Sequence, residues 1–113
     1  MGVEVTHDLD TVIEQSDVLI ILRLQLERQQ KEKFLPSIRE YAKKFGVNRE
    51  KLKKAKKNIL IMHPGPTNRG VELSAEVADG EYSVILDQVT NGVAVRMAVL
   101  YLLLGTKQPA HAE

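Results

Sequence analysis

The sequence predicts an α/β fold, with a partial doubly wound parallel sheet of about three to four strands and crossover helices. Short, continuous apolar runs recur along the chain, and such runs are typical of parallel strands that are covered on both faces. Segments with helical spacing of apolar residues separate these runs, as crossover connections require. The chain has 113 residues, 43% hydrophobic and 27% charged, which suits one domain or less.

The predicted strands are short, and each is marked by an apolar run. Residues 3–5 indicate a first stub strand, whereas 18–22 and 59–62 are longer runs that predict buried strands. A polar stretch follows, and after it a fourth apolar run at 83–86 predicts the last strand of the sheet. The sheet is therefore expected to be small for an α/β domain.

Capping residues mark the helices that lie between these strands. The predicted caps and stops, in chain order, are Thr6 or Asp8, Ser16, Pro36 with Ser37, Gly46 and Asn48. Lysines crowd the third of these helices at 51–57. A solvated helix face explains that run better than a polyanion site does.

The last predicted helix, from about Asn91 to Leu104, is apolar on nearly every face. A helix of this kind must be buried on all sides. It is too short for a bilayer, which takes about 20 residues, and a small sheet covers only one of its sides. We therefore expect something beyond this chain to cover the rest, and the chain reads like the end of a larger protein.

Composition excludes several classes of function. A net charge of +1 gives no footprint for nucleic acid or for an acidic membrane surface. Cysteine is absent, and the histidines at 7, 63 and 111 lack the spacing of metal ligands, so we expect neither metal nor cofactor. The first residues show no basic leader followed by an apolar stretch, which predicts a cytoplasmic protein.

The turn after the third strand is built to bring bare backbone close to a ligand. Pro64 and Pro66 remove two backbone donors and Gly65 removes a side chain, so carbonyl oxygens are accessible there. The Gly65–Pro66 bond is also a place where a cis peptide is tolerated. An ordinary strand-to-loop exit explains the same residues, and both interpretations stay open.

Polar side chains also follow the second strand. Arg23, Gln25 and Glu27 alternate with leucines and so share one face. A guanidinium such as that of Arg23 can hold a carboxylate in a two-pronged pair, with Glu27 fixing its orientation. The alternative is a surface Arg–Glu pair of little consequence.

Three motifs in the same order resemble the carboxyl-terminal part of the aspartate carbamoyltransferases. They are Arg-Leu-Gln-x-Glu-Arg at 23–28, His-Pro-Gly-Pro-x-Asn-Arg-Gly-Val-Glu at 63–72 and Val-Thr-Asn-Gly-Val-Ala-Val-Arg-Met-Ala-Val-Leu-Tyr at 89–101. The resemblance runs from near residue 2 to about Gly105. The related ornithine carbamoyltransferases typically have a cysteine where this chain has Pro64, so the aspartate enzymes are favoured.

The resemblance implies transfer of a carbamoyl group from carbamoyl phosphate to L-aspartate, in pyrimidine synthesis. It implies that Arg23 holds an aspartate carboxylate, with Gln25 beside it and Glu27 orienting the arginine. The turn at 64–66, with a cis bond before the last proline, is expected to offer carbonyls to the carbamoyl group and the incoming amine. His63 either stabilises the turn by a hydrogen bond or acts in acid–base catalysis. No residue is expected to form a covalent intermediate.

The resemblance also sets what this chain is expected to lack. Residues 1–113 match a carboxyl-terminal portion of the aspartate/ornithine-binding domain, without the domain that binds carbamoyl phosphate through a Ser-Thr-Arg-Thr motif. The chain alone is therefore expected to be inactive. The implied partners are the missing domain, like chains in a homotrimer, and dihydroorotase, to whose associated bacterial branch the Pro-Gly-Pro and Asn-Arg-Gly segments are similar. The alternative is a non-catalytic remnant or interaction module that keeps the fold.

Overall fold

The computed structural model describes residues 2–25 and 37–105. Helices and short strands alternate within them, which confirms the predicted α/β class. The elements in chain order are α1 (Leu9–Gln15), β1 (Val18–Ile20), α2 (Ile38–Phe45), α3 (Arg49–Leu52), β2 (Leu60–Met62), α4 (Ala75–Ala78) and α5 (Ile85–Leu104). Helix α4 lies in the stretch that the sequence marked only as polar.

The sheet is smaller than predicted, with two parallel strands in the part of the chain that the structure describes. Leu19 of β1 lies opposite Ile61 of β2. Where a further strand was predicted at 83–86, Ser83 makes an isolated parallel bridge to Ile61. The chain then turns helical, and the amide of Gln88 donates to the carbonyl of Val84 at 2.8 Å. The predicted strand is therefore wrong, because the apolar residues from 84 onward belong to the start of α5.

The predicted stub strand at 3–5 is also wrong. Val3 and Val5 are 85% and 80% exposed and belong to no strand. Two isolated valines that bury so little surface cannot offset the conformational entropy lost when an edge strand is ordered.

The helix caps that the sequence predicted are confirmed. The side chain of Asp8 accepts hydrogen bonds from the amides of Asp10 and Thr11 at the start of α1. Ser37 caps α2 in the same way, and Asn48 caps α3. Each cap satisfies an amide that the first helical turn leaves without a partner.

The hydrophobic core lies on one face of the sheet. Its buried residues are Ile13, Leu19, Ile21, Val47, Ile59, Ile61, Leu73 and Val77. Partly buried side chains from α1 and from the end of α3 pack against them. The other face is open, with Val18, Ile20 and Leu60 each 43–59% exposed. The prediction of strands covered on both faces is therefore wrong for the described residues, which place helices on one side only.

Helix α5 is the most exposed element. It has 20 residues, starts at Ile85 rather than near Asn91, and has no buried residue. Met97, Leu100 and Leu103 are 65%, 56% and 73% exposed. The described part of the chain leaves this apolar surface open, and the expectation that something else covers it stays a prediction. No helix among the described residues has both the length and the apolar character needed to span a membrane.

Candidate active-site edge

The exits of β1 and β2 lie at the same edge of the sheet, because the two strands are parallel and in register. The ladder continues past β1, since the amide of Ile21 donates to the carbonyl of Met62 at 2.9 Å. Half-buried Arg23 and exposed Gln25 follow β1, and the turn that begins at His63 follows β2. Parallel strands thus bring together two of the polar segments that the sequence singled out. Glu27 lies outside the described residues.

The turn after β2 is held by the side chain and backbone of His63. His63 is fully buried, and its amide donates to Oε1 of Gln88 at 2.9 Å. Its Nδ1 accepts a hydrogen bond from the amide of Gly65, also at 2.9 Å. Gly65 has a φ of 71°, a conformation that favours glycine, and the Gly65–Pro66 bond is cis, as the sequence analysis predicted. Pro64, Gly65 and Pro66 are exposed.

Glu72 is a buried polar residue of this edge that was not predicted as a site residue, and Asn68 and Gln88 were not predicted either. It is 2% exposed, and its Oε1 accepts from the amide of Asn68 at 2.6 Å. The same oxygen lies 3.3 Å from Nε2 of His63. The amide of Val47 donates a hydrogen bond of 3.0 Å to the backbone carbonyl of Glu72, which fixes the backbone there. The available signal was a lone acid between the apolar Val71 and Leu73, which does not by itself show that the acid is buried.

Asn68 connects the two exits. Its Nδ2 donates to the backbone carbonyl oxygen of Leu24, 2.8 Å away. The chain turns back after Asn68 through Gly70, whose φ is 82°. This return places Glu72 beneath the turn, where its carboxylate meets both the His63 ring and the Asn68 amide.

The charge of Glu72 also reaches helix α2. Burial, and the negative charge of Glu72, raise the pKa of the Tyr41 hydroxyl. A surface pair lies further out, where Arg69 donates two hydrogen bonds to the carboxylate of Asp79 and lowers the pKa of that acid. Within the residues that the structure describes, no cluster of histidine, aspartate and glutamate is suited to a metal ion. What this edge offers chemically is an arginine, an amide side chain and an exposed backbone turn.

A family model for the aspartate/ornithine-binding domain of aspartate/ornithine carbamoyltransferases matches residues 2–103. The chain belongs to this carbamoyltransferase family. The resemblance that the three motifs indicated is therefore confirmed.

Close sequence relatives of this carbamoyltransferase chain include aspartate carbamoyltransferase catalytic subunits. The subunit from Syntrophobacter fumaroxidans is 67% identical over 103 residues, which cover 91% of this chain and 33% of that protein. The subunit from Halothermothrix orenii is 62% identical over 105 residues, with 93% and 33% covered. The chain thus spans about a third of the length of the curated relatives that it matches.

Solved structures show the same carbamoyltransferase fold. The ornithine carbamoyltransferase from Pyrococcus furiosus superposes with a TM-score of 0.73 at 30% identity, covering 90% of this chain and 32% of that one. Aspartate transcarbamoylase from Trypanosoma cruzi, in complex with carbamoyl phosphate, gives 0.68 at 34% identity, with 81% and 28% covered. The chain thus shares part of its fold with both enzymes, whereas the two sequence relatives described above are both of the aspartate type.

Proposed function

We propose that this chain supplies the aspartate-binding part of an aspartate carbamoyltransferase. The enzyme transfers the carbamoyl group of carbamoyl phosphate to L-aspartate and yields N-carbamoyl-L-aspartate and phosphate, a step of pyrimidine biosynthesis. The observation that carries this proposal is the junction of the two strand exits, where Asn68 joins the Arg23–Gln25 segment to the turn at Pro64–Pro66. The catalytic-subunit relatives support the aspartate reaction.

In this proposal Arg23 binds a carboxylate of aspartate through paired hydrogen bonds, with Gln25 beside it and Glu27 orienting the guanidinium. The backbone carbonyls of residues 64–66 accept the N–H groups of the carbamoyl moiety and of the attacking amine. His63 supports that turn through its bond to Gly65 rather than moving a proton.

The chemistry then needs alignment more than a reactive side chain. The amine nitrogen attacks the carbamoyl carbon, a C–N bond forms and the C–O bond to phosphate breaks. The proton that the amine loses is taken up by the departing phosphate. Holding an amine against an activated carbonyl in the correct geometry lowers the barrier, because the entropy of bringing the reactants together is lost on binding and less solvent has to reorganise during the reaction. The residues named here bind and orient, and none of them forms a covalent bond to substrate.

The proposed enzyme needs partners that this chain does not itself supply. A domain that binds carbamoyl phosphate, and like chains in a homotrimer, are the expected partners, with dihydroorotase a further one. A cytoplasmic location belongs to the same proposal, since both reactants are polar metabolites. One observation favours a second candidate, a non-catalytic interaction module of the same fold: helix α5 presents apolar residues with no buried face.

A chimeric enzyme separates the two candidates. The matched third of the Syntrophobacter fumaroxidans catalytic subunit is replaced by this chain, and carbamoyl transfer is measured with aspartate and with ornithine. We expect product from aspartate and none from ornithine. A folded chimera that binds carbamoyl phosphate but carbamoylates neither amine would contradict the proposed function and favour the interaction module.

A further inference from the structure

The pair formed by His63 and Glu72 is buried to an unusual degree for two ionisable side chains. They are 0% and 2% exposed at the edge of the candidate site. Burying a carboxylate costs free energy unless hydrogen bonds compensate it. Among the described residues only one oxygen of Glu72 is hydrogen-bonded. Stability alone is therefore a poor reason for an acid at this position, and its contacts indicate what else it does.

The ring of His63 has a defined tautomer. Its Nδ1 accepts the amide hydrogen of Gly65, so that nitrogen carries no proton. The neutral imidazole then carries its proton on Nε2. This nitrogen lies 3.3 Å from Oε1 of Glu72, an electrostatic contact whose geometry falls short of a hydrogen bond, and it has no hydrogen-bond partner among the described residues.

An ionised carboxylate selects this tautomer because it has only acceptor sites. In the other tautomer, the Nδ1–H would face the N–H of Gly65 and the Nε2 lone pair would face the carboxylate of Glu72. Both contacts would then be repulsive. The carboxylate of Glu72, on the Nε2 side of the His63 ring, thus keeps Nδ1 on the other side as an acceptor. That acceptor holds the exposed turn through the amide of Gly65.

The same carboxylate acts on the other strand exit. Its Oε1 accepts the amide of Asn68 at 2.6 Å, and the Asn68 side chain donates to the carbonyl of Leu24 at 2.8 Å. Leu24 lies between Arg23 and Gln25. One buried oxygen therefore restrains the turn through His63 and the arginine segment through Asn68.

We propose that Glu72 is a positioning residue of the aspartate site. It sets the His63 tautomer and fixes the position of the Gly65 turn relative to the Arg23 segment. This role rests on the proposed function, because it places Glu72 behind the residues that bind aspartate. Glu72 itself touches neither reactant. Its effect is on geometry and passes through His63 and Asn68.

The first test is the ring tautomer in this chain, read from long-range proton–nitrogen NMR of nitrogen-labelled protein. The His63 signals are assigned with a His63→Ala variant, since the chain has three histidines. We expect the proton on Nε2 in the parent chain. We expect Glu72→Leu to lose that preference and Glu72→Gln, whose amide oxygen can replace Oε1, to keep it. A proton on Nδ1 in the parent chain would overturn the proposal, and that result does not depend on any variant folding.

The second test uses the chimeric enzyme described above. Glu72→Leu should raise the KM for aspartate by about tenfold to a hundredfold, the effect of losing one hydrogen bond to a buried charge together with the contact to His63. The KM for carbamoyl phosphate should stay within about twofold. Glu72→Gln should recover most of the loss. Glu50, an exposed acid of α3, gives the matched controls Glu50→Leu and Glu50→Gln, which should be neutral.

The two proposals fail in distinguishable ways. If the parent chimera is active and Glu72→Leu leaves the aspartate KM unchanged, the positioning role is overturned and the proposed function stands. If the parent chimera folds and is inactive, the function fails and the positioning role in an aspartate site fails with it. If Glu72→Leu does not fold, Glu72→Gln and the parent tautomer still decide.

Discussion

Asn68 donates a hydrogen bond from Nδ2 to the backbone carbonyl of Leu24, at 2.8 Å and across 44 residues of sequence. The bond joins the segment that follows β1 to the segment that follows β2. In the proposed function the first segment binds the carboxylate of aspartate and the second binds the carbamoyl group, so the two segments hold the two reactants. A loss of this bond should therefore affect function more than stability.

Removal of the Asn68 side chain tests that bond. In the chimeric enzyme we expect Asn68→Ala to raise the KM for aspartate about two- to tenfold, the effect of one partly buried neutral hydrogen bond. The change is measured by steady-state kinetics at saturating carbamoyl phosphate. Asn58→Ala is the control, since Asn58 is exposed and lies before β2, away from the strand exits. Equal kinetics for Asn68→Ala and Asn58→Ala would contradict the structural role given to the bond.

The one-sided sheet makes a prediction about stability. Ile61 is fully buried and its neighbour Leu60 is 43% exposed, so the two residues are a matched pair on opposite faces of β2. We expect Ile61→Ala to lower the free energy of unfolding by about 2–5 kcal/mol, because it removes core contacts and leaves a cavity. Leu60→Ala should cost much less. Urea denaturation measures both, and similar costs for the two variants would show that the open face is covered in solution.

Local chemistry made part of this structure predictable. Asp8, Ser37 and Asn48 were identified as caps because their side-chain oxygens suit the first turn of a helix. The turn at Gly65 was identified because proline restricts the backbone, whereas glycine permits conformations that other residues rarely adopt. Motif resemblance, not periodicity, indicated the family, which is confirmed. The roles of Arg23 and Gln25 come from the same resemblance and stay predictions.

The errors arose where tertiary contacts decide. Ser83 makes a single bridge to Ile61, and nothing in a short apolar run tells a strand from the first turn of a long helix. Glu72 was overlooked because its significance depends on His63, whose Nε2 the fold brings to within 3.3 Å of the Glu72 carboxylate. A sequence pattern shows that such an acid faces inward only once the partner that pairs with it is known.

The exposed apolar residues of helix α5 indicate that copies of the chain associate with one another. Many of the apolar residues of this helix are exposed along its length, and large exposed apolar patches drive association or aggregation. We expect the purified chain to self-associate at high concentration, and we expect the double variant Leu100→Glu with Leu103→Glu to reduce this. Thr90→Glu with Asn91→Glu adds the same charge at polar positions of the same helix and serves as the control. A compact monomer seen by light scattering in the parent chain would contradict this prediction.

The isolated chain should also lack carbamoyltransferase activity. It spans about a third of the length of its relatives, and the described edge offers groups for aspartate while the Ser-Thr-Arg-Thr motif for phosphate is absent from its sequence. Catalysis by alignment needs both reactants to be held. An assay for carbamoyl-aspartate, with protein free of host enzyme, measures this. Turnover above a buffer control would contradict it.

The central claim is that Arg23 binds a carboxylate of aspartate, and aspartate saturation of the Arg23→Ala chimera tests it most directly. Loss of a charge-assisted pair should raise the KM for aspartate by about a hundredfold, with carbamoyl phosphate binding nearly unchanged. Arg49→Ala, at an exposed arginine of α3, is the matched control and should be neutral. An unchanged aspartate KM in Arg23→Ala, with the control also unchanged, would contradict the account.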